Sequence, residues 1–213
     1  LAGTFFAFRS TGTGPKTPPS KYEQILKLVG DLLTQAHFSP QQINDAFSKK
    51  IFTKFVNDLD PEKNIYLKSD MDALKKYETR IDDEIKGAPV EFFLAAGKTF
   101  NTRMEEAATI CNAILKEPFD FTVDEEVQLD GDKLAYASTA AELKDRWRKK
   151  LKYMTLERYT DLLDARESNK GKEGFVVKSD EELEKEARER VQKIIDRTFD
   201  RFRFKFSDDD KFN

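Results

Sequence analysis

The sequence predicts an all-α protein of about six amphipathic helices, with one short β arm or hairpin near residues 119–136. Three observations support this fold class. Apolar residues recur at three- and four-residue steps along most of the chain, which is the helical period. Hydrophobic residues make up 38% of the 213-residue sequence and charged residues 36%, a balance typical of helices with one buried and one solvated face. Helix-capping patterns occur at the expected intervals.

The first two predicted helices follow each other closely. Ser20 and Glu23 form a capping box, and the apolar stripe that follows runs from Tyr22 to Ala36. Residues 39–42, Ser-Pro-Gln-Gln, have the pattern of an N-cap, a first-turn proline and an N3 glutamine. The connection between the two helices is about two residues long, which favours an antiparallel or steeply angled pair. The second helix carries an aromatic stripe: Phe47, Ile51, Phe52, Phe55, Val56 and Leu59.

Asp60-Pro61 is predicted to end the second helix. Proline disfavours the helical conformation in the residue before it and has no N–H to continue the hydrogen-bond ladder. An apolar triplet, residues 65–67, follows this corner. Ser69 is then the predicted N-cap of a third helix over residues 70–86.

The fourth helix is predicted to start at Pro89 and to stop at Pro118. This is long for one helix, and Gly97 inside it indicates a bend or a close packing contact. Beyond Pro118 the apolar residues alternate in two short runs, which predicts the β arm or an extended arm laid over the helices. The alternating residues are Phe119, Phe121, Val123, Val127 and Leu129.

Two further helices complete the predicted fold. Thr139 with Glu142, and Ser179 with Glu182, form capping boxes that open them. The loop between these helices covers residues 167–174. The last helix is acidic in its first half and basic in its second, the direction that complements the helix dipole; its apolar stripe extends to Phe206.

Composition excludes several function classes. A net charge of −3 and a pI near 5.5 give no nucleic-acid-binding signature. The single cysteine, Cys111, rules out an intramolecular disulfide and a cysteine-based zinc site, and its apolar neighbours predict a buried thiol. The single histidine, His37, has no partner at metal-ligand spacing. No glycine-rich phosphate loop is present, so no cofactor and no metal site are predicted.

The two ends of the chain carry separate predictions. Residues 1–19 are interpreted as the remnant of a secretory signal or as a flexible N-terminal segment, and residues 20–213 as one helical domain. The apolar run at residues 1–8 is too short to span a bilayer. Asp208 to Asp210 could hold a cation, but a solvated acidic tail is the favoured reading.

Several motifs together resemble the N-terminal helical domain of the bacterial tail-specific, or C-terminal-processing, serine proteases. The first is Asp60-Pro61-Glu62-Lys63, followed by the apolar triplet and Ser69-Asp70. Pro118 to Thr122 with Leu129-Asp130, and the helix start from Glu142 to Trp147, follow in the same order. The resemblance covers roughly residues 39–213; nothing before Ser39 matches the family's pattern.

This resemblance implies a role in a longer protein. The family places this domain before a PDZ module and a protease domain, acts in the bacterial periplasm or cell envelope, and degrades proteins from apolar C-termini with a Ser/Lys dyad. The domain would help to form the substrate chamber and to dock the protease body or an adaptor protein. Secretion through a signal peptide is implied as well.

No catalytic residue is assigned to this chain. Ser48-Lys49-Lys50 cannot pair as nucleophile and base, because adjacent helical residues point about 100° apart. Ser168-Asn169-Lys170 lies in a hydrophilic loop with no evident oxyanion hole. The candidate partner-facing residues are Arg197, Arg201, Arg203 and Lys205.

Two alternatives stay open at this stage. The basic residues could instead form a solvated helix face paired to Asp196 and Asp200. The whole chain could be a free-standing α-helical module that binds peptides or helices in a phenylalanine-rich groove. The protease reading predicts a longer native polypeptide and an exposed apolar docking patch, whereas the free-standing module predicts a self-contained monomer with polar ends.

Overall fold

The computed structural model describes residues 21–40 and 42–205, with the backbone alone at 204–205. The all-α prediction is confirmed. Within these residues the chain forms seven α-helices and no strand: α1 (Lys21–Asp31), α2 (Asp45–Leu59), α3 (Lys68–Leu74), α4 (Ile81–Ile85), α5 (Phe92–Ile114), α6 (Ala140–Asn169) and α7 (Asp180–Lys205). A π-helical turn, Leu32–Ala36, extends α1, and single 3-10 turns occur at Lys75–Tyr77 and Gly131–Lys133. The predictions for residues 1–20, Gln41, Phe206 and Asp208 to Asp210 lie outside the described residues.

The core is built around α5. One face of this helix is fully buried at Ala96, Phe100, Ala107 and Cys111, where α6 and α7 pack from one side and the α2–α3 region from the other. Cys111 is buried as predicted, and burial raises the pKa of its thiol to about 12. It is therefore a packing residue with no thiolate character at neutral pH.

α6 and α7 form a long helical hairpin. α6 has 30 residues, a length of about 45 Å, and its first half packs on the main core through Trp147 and Leu151. Its second half packs on α7 in a separate small cluster of Leu162, Leu183 and Ala187, and Tyr159 beside this cluster stacks on Phe121. The end of this hairpin therefore projects beyond the main core. Both predicted N-caps are formed, since Thr139 Oγ1 accepts from Glu142 N–H and Ser179 Oγ accepts from Glu182 N–H. The reciprocal bond of a capping box is made at Ser179, whose N–H donates to the Glu182 carboxylate, whereas the Glu142 carboxylate accepts the N–H of Ser138.

The Asp60 corner joins distant parts of the chain. The buried carboxylate of Asp60 accepts the backbone N–H groups of Asn64, Ile65 and Tyr66 at 2.8–3.0 Å. Lys63 has a positive φ of 52°, and its Nζ donates to the carbonyl oxygens of Gly131 and Leu134. A Cβ atom on Gly131 would lie 1.9 Å from the carbonyl oxygen of Pro61, so only glycine fits there.

The predicted third helix is broken. Instead of one helix over residues 70–86, the chain forms α3, a 3-10 turn and the short α4. The reason is a buried contact with α2: Ser48 Oγ accepts the Asp82 N–H at 2.8 Å and donates to the Asp82 carboxylate at 2.6 Å. Because Asp82 directs its N–H to a side chain, the helical ladder is interrupted at this point.

Three predicted helix starts are wrong. α2 begins at Asp45, because Asn44 Oδ1 caps Phe47 N–H, and residues 39–42 lie before the helix. α3 begins at Lys68. The N–H group of Leu67, just before this helix, donates to the carboxylate of Asp70 rather than to Ser69. α5 begins at Phe92 rather than Pro89, because the buried Glu84 carboxylate accepts the N–H groups of Glu91 and Phe92.

The predicted β hairpin is not formed, although the arm over residues 119–136 is present. Its polar and apolar groups bind the helices instead of a second strand. Phe121 stacks on Tyr159 with ring centroids 5.5 Å apart, and Lys152 Nζ donates to the Val123 carbonyl oxygen at 2.8 Å. The alternating pattern that predicted strands therefore comes from an irregular segment packed on α6 and α7.

Candidate docking surfaces

α1 has a wide apolar face, and the rest of the described chain covers only half of it. Tyr22, Leu26 and Gly30 point inward and are buried or partly buried. The other half stays accessible, with side chains between 41% and 61% exposed: Ile25, Leu28, Val29 and Leu32. Residues three and four apart share one side of a helix, so these four side chains are neighbours. We call this set the outer face of α1.

The attachment of α1 fixes the direction of the outer face. Gly30 is buried against α4, and a Cβ atom there would lie 2.4 Å from Ile85 Cγ2. The ring of Tyr22 lies 5.9 Å from that of Phe93 at the start of α5. α1 therefore packs on α4 and α5 through a narrow strip of small and aromatic residues, and cannot rotate to bury its other side without losing this contact.

The apolar stripe from Tyr22 to Ala36 predicted a helix here, but it did not indicate which of its side chains stay exposed. α1 lies at the edge of the molecule. Its neighbour α4 has only five residues and therefore covers only one side of α1. The width of the stripe could have indicated that some of its side chains stay exposed, since apolar residues occupy more than half of the helix circumference. Contiguous exposed aliphatic side chains of this kind mark binding surfaces.

The four candidate partner-facing basic residues on α7 do not form one group. Arg203 is engaged within the fold: its Nε and Nη2 donate to the Glu105 carboxylate of α5 at 2.7 and 2.9 Å, and its Nη1 donates to Asp200 at 3.1 Å. The Arg203 guanidinium lowers the pKa of Glu105. Arg197 and Arg201 are exposed and have no ion-pair partner within the described part of the chain. The side chain of Lys205 lies outside it.

A charged cluster holds the arm on α6. Glu125 binds Arg148 through both carboxylate oxygens, at 2.9 and 2.5 Å, and binds Lys152 Nζ at 2.7 Å. These hydrogen bonds lower the pKa of Glu125 to about 2. Arg148 and Lys152 therefore fix the arm, while Lys149 and Lys150 of the same basic run pair with Asp145 and Glu62.

The two serine–lysine sequences do not form a catalytic pair. Ser48 is fully buried and bound to Asp82, so its hydroxyl is occupied and closed to substrate. Lys170 pairs with Glu167 rather than with Ser168. His37 Nδ1 lies 2.7 Å from the Ser39 carbonyl oxygen in a local turn. Over residues 21–40 and 42–205, no cluster of three or more histidine, cysteine or acidic side chains has the arrangement of a metal site.

No helix among the described residues is long and apolar enough to cross a bilayer. Two features of the described residues suit the binding of a partner: the outer face of α1, and Arg197 and Arg201 of α7.

Comparison with known proteins gives a family. A family model described as the tail specific protease N-terminal domain matches residues 28–212. Among curated proteins, the tail-specific protease of Haemophilus influenzae is 28% identical over 121 residues, which is 56% of this chain. The match covers 17% of the length of that relative, so the chain corresponds to a small part of it.

Proposed function

The chain belongs to the family of tail-specific protease N-terminal domains, and we propose that it is the non-catalytic N-terminal domain of a periplasmic serine endopeptidase that degrades proteins from their C-termini. The PDZ and protease domains would follow it in the native polypeptide. Residues 20–213 would form the helical domain, and residues 1–19 a signal remnant or flexible segment. Catalysis by a Ser/Lys dyad would reside outside this chain.

The outer face of α1 carries this proposal. Its four aliphatic side chains are exposed side by side, and burying apolar surface contributes roughly 25 cal/mol per Å². In the proposed enzyme this face docks on the protease body, so that the domain becomes one wall of the substrate chamber. The same docking would leave the projecting end of the α6–α7 hairpin free to face an adaptor protein or a substrate.

The internal chemistry of the domain fits a scaffold. Three of its buried polar groups are used for structure: Asp60 holds the α2–α3 corner, Glu84 caps α5, and Ser48 joins α2 to α4. The substrates, proteins with apolar C-termini, would be bound by the downstream domains and enclosed by this one.

The test is the size and activity of the native polypeptide. An antibody raised against this chain is used to detect the protein in cell-envelope fractions and to purify it. We expect a band far above 24.6 kDa that co-purifies with cleavage of C-terminally tagged substrates, and a serine-reactive inhibitor should stop that cleavage.

A band at the mass of this chain, without associated proteolysis, would overturn the proposal. It would favour a free-standing α-helical interaction module, for which the outer face of α1 would be the peptide- or helix-binding surface.

A further inference from the structure

The arm runs along α6 as an extended segment. Phe121 stacks on Tyr159, whereas Leu129 lines the same cavity as Asp145. These two positions of α6 are about 21 Å apart. The eight residues from Phe121 to Leu129 reach about 26 Å when extended and only about 12 Å as a helix. Residues 124–130 accordingly contain no helix, turn or bend.

The main chain of the arm is unpaired. Within the described part of the chain, no backbone N–H or carbonyl group of residues 124–129 makes a hydrogen bond. The nearest main-chain bonds are those of the Val123 carbonyl oxygen and the Asp130 N–H. An extended segment with free main-chain groups is the template that strand addition uses.

A groove beside the arm has room for an added strand. Two cavities of about 350 and 170 Å³ lie between the arm and α6, and both are lined by Glu126, Val127 and Lys149. Because they share these residues, they form one continuous depression. It extends along α6 from Leu156 to Glu142, about 21 Å, which is the length of about six extended residues. We call it the arm groove.

The unpaired charges of the arm groove are acidic. Asp124 and Glu126 line it, are exposed and have no ion-pair partner among the described residues. Residues two apart lie on the same side of an extended segment, so the two carboxylates are neighbours. The basic side chains of the groove are already paired with acidic ones: Lys149 with Asp145, Lys150 with Glu62, Lys152 with Glu125, and Arg146 with Glu142.

This charge pattern defines the partner. Lysine or arginine opposite Asp124 and Glu126 would form favourable cross-strand pairs, whereas the arm of a second copy would place acid opposite acid. The other side chains of an added strand point towards α6, where apolar surface is accessible. Val123, Tyr153 and Leu156 line the groove there and are between 36% and 51% exposed.

We propose that the arm groove binds an extended segment of a separate polypeptide, about six residues long, in which basic and apolar residues alternate. The segment adds to residues 124–129 as a second strand. Its basic side chains pair with Asp124 and Glu126, and its apolar side chains cover Tyr153 and Leu156. This proposal does not rest on the proposed function, because the groove lies wholly within the described residues.

A fluorescein-labelled hexapeptide, Lys-Val-Lys-Val-Lys-Val, is the probe. Fluorescence anisotropy measures its binding to the native polypeptide and to the 213-residue chain, and we expect both to bind it. The backbone amides of residues 124–129 should exchange more slowly with the peptide bound. Absence of binding, or unchanged exchange of these amides, would overturn the proposal. Binding to the 213-residue chain alone would also overturn it, since the rest of the native polypeptide would then fill the groove.

The charge contacts are tested with an Asp124→Asn, Glu126→Gln double variant. Its affinity for the peptide should fall about fivefold, because two cross-strand charge pairs are lost. The matched control, Asp164→Asn with Glu189→Gln, removes the same charge at exposed positions of α6 and α7 and should change the affinity by less than about twofold. Circular dichroism confirms that each variant is folded. Equal losses in the two double variants would contradict the proposed contacts.

Strand pairing is separated from charge attraction by two further peptides, N-methylated at the three lysines or at the three valines. Alternate N–H groups of a strand point to the same edge, so only one of the two sets faces the arm. One methylated peptide should therefore bind at least about tenfold more weakly, and the other should bind like the parent peptide. Equal affinities of the two would overturn the proposal.

Discussion

At the scale of single residues, Asp60 shows how one side chain can organise a corner. The residue is 2% exposed, and its carboxylate accepts three consecutive backbone N–H groups. Burial raises its pKa, while the hydrogen bonds from Tyr66, Ile65 and Asn64 act in the opposite direction. The result is a buried acceptor for N–H groups that helix and sheet ladders leave unpaired.

Replacing Asp60 with alanine should therefore be costly. We expect Asp60→Ala to lower the free energy of unfolding by about 2–4 kcal/mol, because three buried N–H groups lose their acceptor. Asp58→Ala, which removes an exposed carboxylate paired with Lys54, should change it by less than about 0.5 kcal/mol. Urea denaturation at pH 7 measures the change in the free energy of unfolding for both variants. Equal midpoints for the two variants would contradict this role of Asp60.

The sequence predicted the corner but not what holds it. Asp60-Pro61 ends α2 as expected from the conformational limits of proline. The bond from Lys63 to Gly131, 68 residues away, and the close approach of Gly131 to Pro61 are long-range contacts that no local pattern encodes. For the same reason the capping role of Glu84, at the start of a different helix, was missed.

At the scale of helices, two glycines in helix interiors have opposite surroundings. Gly30 in α1 lies against Ile85, and a Cβ atom there would be 2.4 Å from Ile85 Cγ2. Gly97 in α5 has no atom within 4 Å of an added Cβ, and α5 continues through it without interruption. The close packing contact expected at Gly97 is absent, and the close packing occurs at Gly30.

These surroundings predict opposite effects of alanine. Gly30→Ala should lower the free energy of unfolding by about 1–3 kcal/mol, because α1 must move away from α4. Gly97→Ala should raise it by about 0.5–1 kcal/mol, since alanine has the higher helix propensity. Thermal or urea unfolding of the two variants beside the parent protein gives the sign of each change. A stabilising Gly30→Ala would show that α1 is not packed on Ile85.

Helices with strong local signals were predicted well, and those set by tertiary contacts were not. The capping boxes at Thr139 and Ser179 gave the correct starts of α6 and α7. The third helix was predicted as continuous because its apolar stripe is unbroken, whereas the Ser48–Asp82 contact splits it. The arm alternates like a strand, yet ion pairs from Glu125 and ring stacking of Phe121 place it on the helices.

At the scale of the whole molecule, the fold is a core with unevenly covered edges. α5 is buried along one face, while the outer face of α1 and Ile194 of α7 expose apolar surface. The motif order in the sequence was sufficient to indicate the family, and the match over residues 28–212 confirms it. Which apolar stripe would remain exposed could not be predicted, because that depends on which helices are neighbours in space.

The central claim is that the outer face of α1 docks this domain on the rest of a tail-specific protease. Hydrogen exchange of the backbone amides over residues 21–36 tests it most directly, in the native-length protein and in the 213-residue chain. A Leu28→Asp, Leu32→Asp double variant and a Lys27→Asp control, which changes the polar side of α1, are measured in the same way.

We predict slower exchange of these amides in the native-length protein than in the 213-residue chain, because docking suppresses local opening of α1. The double variant should lose this protection and the control should keep it, while both leave the 213-residue chain folded. Equal exchange rates in the two lengths of protein, or equal protection in the double variant and the control, would contradict the claim.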